Sequence, residues 1–268
     1  MRAADLPLPP EFETVTLEQL TIEDEASFKH VALYHELKGV LRRAGYTFRV
    51  LPKSQAGRWD RALCLNLTFW GADGGGDVLV ARTIPADVVA HVAWHHLAAH
   101  ALPTPPGARP SAEAMLFGES IASAFDVYLV GRLLGHAPTS TFLETQVPAM
   151  ADAAAEAGAN DEQFEALLSK IAADPEAAFD ELRGLLFHVA AGLLRCPDAT
   201  QALGVLDASD ASPFAMLLHR FELSNWVLHT RAYGSHDALP DVRRLSLERE
   251  IAANGGGLTG LTRTWLGG

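Results

Sequence analysis

The sequence predicts a mainly helical α+β protein, in which a small antiparallel sheet and a pair of motif-bearing helices are followed by a helical C-terminal bundle. Three observations carry this. Short segments that alternate apolar and polar residues between Gly/Pro turns are confined to residues 46–81. Beyond Pro85 the apolar residues recur at helical spacing almost to the end of the chain. Charged residues make up 20% and hydrophobic residues 49% of the composition, which excludes a disordered chain or a coiled coil and leaves ample material for a core.

Residues 1–16 are Pro-rich and acidic and read as an extended lead-in. A helix is expected over residues 17–44. Thr16 and Gln19 have capping-box spacing, Leu33, Leu37, Val40 and Leu41 fall on one helical stripe, and Gly45 is a stop signal. Residues 46–51 (YTFRVL) and 62–70 (ALCLNLTFW) alternate as half-buried strands do, with Pro52, Lys53, Ser54 and Gly57 as the turn between them. The GADGGG run at 71–76 lacks the phosphate-loop pattern and precedes a strand at 78–81 rather than a helix, so it reads as a turn. Helices follow at 86–102, 111–135, 141–157, 161–173, 175–195, 212–232 and 240–253, the first two separated by the loop PTPPGARP. The organisation expected is an extended segment 1–16, a core 17–135, a helical region 136–253 and a flexible Gly-rich tail 254–268. The apolar stretch 258–266 in that tail could dock on another chain.

With 21 Lys+Arg against 33 Asp+Glu, the net charge of −12 gives no field to attract phosphate backbones, so no nucleic-acid partner is expected. No apolar run reaches the roughly 18 residues of a membrane span, and the N-terminus has no signal-peptide pattern. Cys64 and Cys196 are too few for a disulfide framework or a Cys-rich zinc site, and a cytoplasmic location is the expectation.

Histidine is the conspicuous residue. Four of the 11 lie at positions 91, 95, 96 and 100 of a helix that is apolar nearly all round. At about 100° per residue, His91 and His95 share one face and His96 and His100 another. Each pair has the i,i+4 spacing that brings two imidazoles to one metal ion. Buried imidazoles need partners, because an unpaired polar group inside costs about 1–3 kcal/mol. The bland alternative is that these histidines are metal-free and meet acids from other helices or reach solvent. The next helix offers Glu119 within an apolar stripe, with Asp126 two turns further on. Two imidazoles and one carboxylate make an open three-ligand zinc site. The same set also suits non-haem iron.

This order of elements resembles the minimal gluzincin zinc metallopeptidases of the ImmA/IrrE type. Their first motif helix reads xxAHExxHxL and their later one ExxAxxFAxxLL. The counterparts here are VVAHVAWHHL at 88–97 and ESIASAFDVYLV at 119–130, with Glu119, Ala122, Phe125 and Leu129 in phase. The resemblance spans residues 17–135 and implies zinc held by His91, His95 and Glu119. The alternative pair His96 and His100 places Glu119 after an 18-residue gap, as in larger gluzincin aminopeptidases. The departure is at Val92, which stands where the family has the general-base Glu; for the other pair the same position is Leu97. Three readings follow. The protein is a metallopeptidase-like zinc-binding protein that has lost catalysis and binds a peptide or protein. Or it draws its base from His96, Asp126 or Glu113. Or it is no hydrolase at all, but a two-His-one-carboxylate iron oxygenase or a metal-free helical interaction protein.

Elsewhere, His30, His35 and Glu36 do not share a helical face, and no second metal set is expected from them. The segment 216–236 carries His219, Glu222, His229 and His236. Were it to fold over the metal site, Arg220, Arg231 or Tyr233 could face an oxyanion. No GxSxG occurs, and neither Cys has a nucleophile's local signature.

Overall fold

Strand β1 (Glu13–Thr16), drawn from the lead-in, pairs antiparallel with β3 (Thr47–Val50), setting Val15 opposite Phe48 on the buried face. β4 (Asp77–Leu79) joins the other edge of β3 in parallel, so this sheet is mixed, with one antiparallel pair. A second sheet consists of β2 (Thr21–Glu23) and β5 (Thr83–Pro85), also parallel. These come from a computed structural model that describes residues 12–55, 77–137, 139–235 and 241–267; the strand expected at 62–70, the GADGGG turn, Cys64 and His236 lie outside the described residues.

The helix expected over 17–44 is formed only in its second half, as α1 (Ala32–Arg43). Ahead of it come a single 3-10 turn at Leu17–Gln19, β2, and a second 3-10 turn at Glu25–Phe28. The Thr16–Gln19 capping box is present, with the Thr16 amide donating to Gln19 Oε1 at 2.9 Å. It holds one turn, after which β-branched Thr21 and Ile22 enter the β2–β5 pair. Asp24 then takes a left-handed conformation (φ 56°), which no helix continues through. Its Oδ2 accepts from Ser140 Oγ (2.6 Å) and the Phe142 amide (3.3 Å), tying this corner to the next helical layer.

The helices are α2 (Ala86–Ala101), α3 (Ala112–Leu133), α4 (Thr141–Glu156), α5 (Asp161–Ala173), α6 (Pro175–Arg195) and α7 (Ala199–Asp207). After a 3-10 segment at Ala215–Phe221 come α8 (Leu223–Tyr233), α9 (Val242–Ala253) and α10 (Gly257–Trp265). The helix expected at 212–232 is therefore broken. The break is at Glu222, a non-glycine residue held at φ 46°, ψ 47°. α7 has no counterpart among the expected helices. The tail, expected to be flexible, holds α10: Leu258 and Leu261 are buried, the Leu258 amide donates to Asp180 Oδ1 (2.7 Å), and Trp265 meets Trp94 at 5.9 Å between ring centroids.

α3 is the hub, buried on nearly every face and packed chiefly along α6 and α2. Small residues allow the close approaches. A Cβ on Gly118 would sit 3.2 Å from Ala98 Cβ on α2, and one on Gly131 would come within 2.6 Å of the Ile171 carbonyl oxygen. Among the described residues α3 alone is long and apolar enough to cross a membrane by composition, and it is mostly buried inside the protein. One hydrophobic cluster runs from Val15 and Phe48 through α2, α3 and α6 to Leu258 and Leu261.

Candidate metal centre

Each ligand of the centre comes from a helix whose local sequence fixes its place. Pro85, locked in an extended conformation, precedes α2, and Ser111 caps α3 by accepting from the Ala114 amide (3.0 Å). The two helices approach closely at Gly118, one residue before Glu119, so the carboxylate sits beside His91 and His95.

The three side chains converge. His91 Nε2 and His95 Nε2 are 3.2 Å apart, His95 Nε2 lies 3.0 Å from Glu119 Oε2, and His91 Nε2 lies 3.9 Å from Glu119 Oε1. Ligand atoms held about 2.0–2.2 Å from zinc in a tetrahedron stand about 3.3–3.6 Å from one another. The observed separations straddle that interval, and the group can hold a metal ion. Glu119 is only 7% exposed; its Oε1 accepts from Ser123 Oγ at 3.2 Å, and its Oε2 faces His95 Nε2 at 3.0 Å. A buried carboxylate needs a positive partner, which a proton on His95 or a cation in the triangle supplies. The residues present therefore fit a metal ion.

Asp126 completes the arrangement from behind. Its Oδ2 lies 3.2 Å from His91 Nδ1. A proton on Nδ1 leaves the Nε2 lone pair facing His95 and Glu119, the tautomer a metal requires. In the metal-free protein the same contact holds a proton on the ring. Burial alone would lower the His91 pKa, but the Asp126 charge and hydrogen bond, with Glu119 and Asp87 beyond, push it up to about 9. For Glu119 burial acts upward and is outweighed by His95, His91 and Ser123, so its carboxyl stays below the ordinary range. Asp87, one turn before His91, is pushed up to about 6 by burial and by the Asp126 charge.

The other candidates lie elsewhere. His96 and His100 form their own ring pair (4.2 Å between centroids) on a different face of α2, and His96 packs edge-on against Tyr46. Glu113 is buried two turns before Glu119, bound to Arg244 Nε (2.8 Å), Arg195 (3.2 Å) and the Asp241 amide (2.9 Å), and does not reach the trio's cavity. Val92, in the general-base position, is 1% exposed and belongs to the core.

His91 and Glu119 of the trio open on a cavity of about 820 Å³. α2 and α3 supply Asp87, Val88, His91, Glu119, Ser123 and Asp126, and α4 supplies a rim that includes Asp152 and Glu156. The remaining wall is the segment 219–229, which brings His219, Arg220, Trp226 and His229 over the site. Burial lowers the pKa of His229 and of Arg220, while the Glu119 charge acts on the former and the Asp126 charge on the latter in the opposite sense. Arg231 instead donates to the Leu194 and Cys196 carbonyls (3.2 and 3.3 Å), and Tyr233 is 57% exposed. Asp87 and Ser123 escaped the sequence reading. Their signals were present as the i,i+4 steps Asp87–His91 and Glu119–Ser123 on the same helix faces.

Comparison with protein-family profiles, with curated proteins and with solved structures finds no match for this chain.

Proposed function

We propose that the protein is a metallopeptidase-like zinc-binding protein that takes a peptide or protein ligand in the cavity above His91, His95 and Glu119, without the proton-transfer machinery of an active peptidase. The observation that carries this is the convergence of His91 Nε2, His95 Nε2 and a buried Glu119 carboxylate oxygen within the span of one metal ion. A zinc ion bound there supplies Lewis acidity toward a carbonyl or a water. The chain's own residues hold it, through His91 Nε2, His95 Nε2 and a Glu119 oxygen, and Asp126 fixes the His91 ring. Catalytic inactivity is supported by Val92, whose isopropyl group accepts no proton, and by the commitment of Asp126 to His91. The resemblance of 88–97 and 119–130 to the gluzincin motifs supports the peptide-binding part.

Elemental analysis of the purified full chain, before and after zinc reconstitution, tests the reading. One zinc per chain is expected, lost in His91→Ala, His95→Ala and Glu119→Gln. Iron as the resident metal would move the protein to the oxygenase class. Zinc uptake no stronger in the parent than in His91→Ala would end the metal reading altogether. Peptide hydrolysis that disappears with the zinc would overturn the inactive assignment while leaving the metal site standing.

A further inference from the structure

Among the described residues, six carboxylates line the cavity (Asp87, Glu119, Asp126, Asp152, Glu156 and Glu222), against a single guanidinium, that of Arg220. Arg220 sits at the end of the 3-10 segment Ala215–Phe221, just before the left-handed turn at Glu222, which carries the chain across the mouth of the site. Its side chain is partly buried and makes no hydrogen bond, ion pair or ring contact with any of the described residues. The nearest charge acting on it is Asp126, which is too distant to pair and already accepts from His91. Elsewhere partly buried Arg132 pairs with Glu176 and Tyr128 and buried Arg244 with Glu113 and Glu248, while Arg183 lies over the Phe117 ring. A guanidinium has five donors in a planar fork and stays charged, so leaving it idle in a half-buried wall is unfavourable unless a ligand engages it.

We infer that Arg220 anchors a carboxylate of the ligand, and that the ligand is a peptide with a free C-terminus lying between Arg220 and the His91–His95–Glu119 centre. This deepens the peptide-binding reading above and rests on it. The planar fork matches a carboxylate in a bidentate pair. The acidic lining decides against a phosphorylated ligand, because a second negative charge would face six carboxylates with the same single cation. The remaining wall, with Val88, Ala149, Ala153, Phe221 and Trp226, suits the apolar flank of a C-terminal residue.

The test uses the zinc-reconstituted full chain and two probes, N-acetyl-alanyl-phenylalanine and its C-terminal amide, titrated by calorimetry. The free acid is expected to bind about 10- to 100-fold more tightly than the amide, the range that one charge-assisted pair confers. Arg220→Gln is expected to abolish that ratio by weakening the acid alone, and Arg220→Lys to restore part of it. Arg220 bonds to none of the described residues, so both variants should keep the parent melting temperature, which serves as the folding control. An acid/amide ratio below about twofold in the parent, or a ratio that survives Arg220→Gln, overturns the inference. Inorganic phosphate that competes with the acid through Arg220 also overturns it. Failure of the zinc reading is seen separately, as absence of zinc in the parent or its persistence in His91→Ala.

Discussion

At the scale of single residues, the centre depends on which nitrogen of His91 carries the proton. Asp126 makes that choice through Nδ1, 3.2 Å away. Asp126→Asn keeps the shape but can present an amide N–H to Nδ1, which favours the tautomer that blocks Nε2. Zinc affinity is expected to fall about 10- to 100-fold, as competition against a calibrated chelator would measure; an unchanged affinity would mean that Asp126 does not orient the ring. Asp87 gives a pH-dependent prediction for the metal-free protein. Its folded pKa is pushed up to about 6 from an ordinary 3.8 by burial and by Asp126. A carboxyl with a raised folded pKa favours the folded state in its protonated form, so its ionisation costs stability as pH rises from about 4 through about 6. Asp87→Asn should therefore stabilise the metal-free chain by about 1–3 kcal/mol at pH 7.5 and by almost nothing at pH 4. Denaturant titrations at the two pH values check this, and equal effects at both would refute the assignment.

At the scale of elements, α3 sets how closely its neighbours can come. A Cβ on Gly131 would stand 2.6 Å from a backbone oxygen, Ile171 O, which cannot rotate away. Gly131→Ala should cost about 1–3 kcal/mol by forcing α3 and the end of α5 apart, although alanine is the better helix former, and an unfolding curve matching the parent would contradict this packing. The legible parts of the sequence were those fixed locally. α2 and α3 are apolar nearly all round and bounded by Pro85 and Ser111, so both their limits and the shared face of His91 and His95 follow from spacing alone. The region 17–44 was not legible because a capping box fixes only one turn, while β2 takes its partner from residues some 60 positions away. Nothing in a glutamate announces a left-handed backbone, so the break at Glu222 was hidden, and with it the arrival of Arg220 at the metal cavity. α10 was missed for a related reason: its order comes from the surface it docks on.

At the scale of the whole molecule, α10 reaches α2, the helix that carries His91 and His95, through the Trp265–Trp94 contact. Trp94 sits between His91 and His95 in sequence but packs away from them, against Phe125 and Trp265. The single hydrophobic cluster that joins Leu261 to α2 and α3 implies that tail and site unfold together. Leu261→Ala removes a fully buried side chain and should cost about 2–5 kcal/mol of global stability. Zinc at about 100 times its dissociation constant adds about 2.7 kcal/mol to any state that binds it only when folded. If the molecule is one cooperative unit, that increment should appear undiminished in both the parent and Leu261→Ala, offsetting much of the damage done at α10. It should vanish in His95→Ala. Guanidinium unfolding, followed by tryptophan fluorescence and by far-ultraviolet circular dichroism with and without zinc, reads both effects. A separate early transition for α10 in Leu261→Ala that zinc leaves unmoved would show the tail to be an independent unit and would refute the coupling.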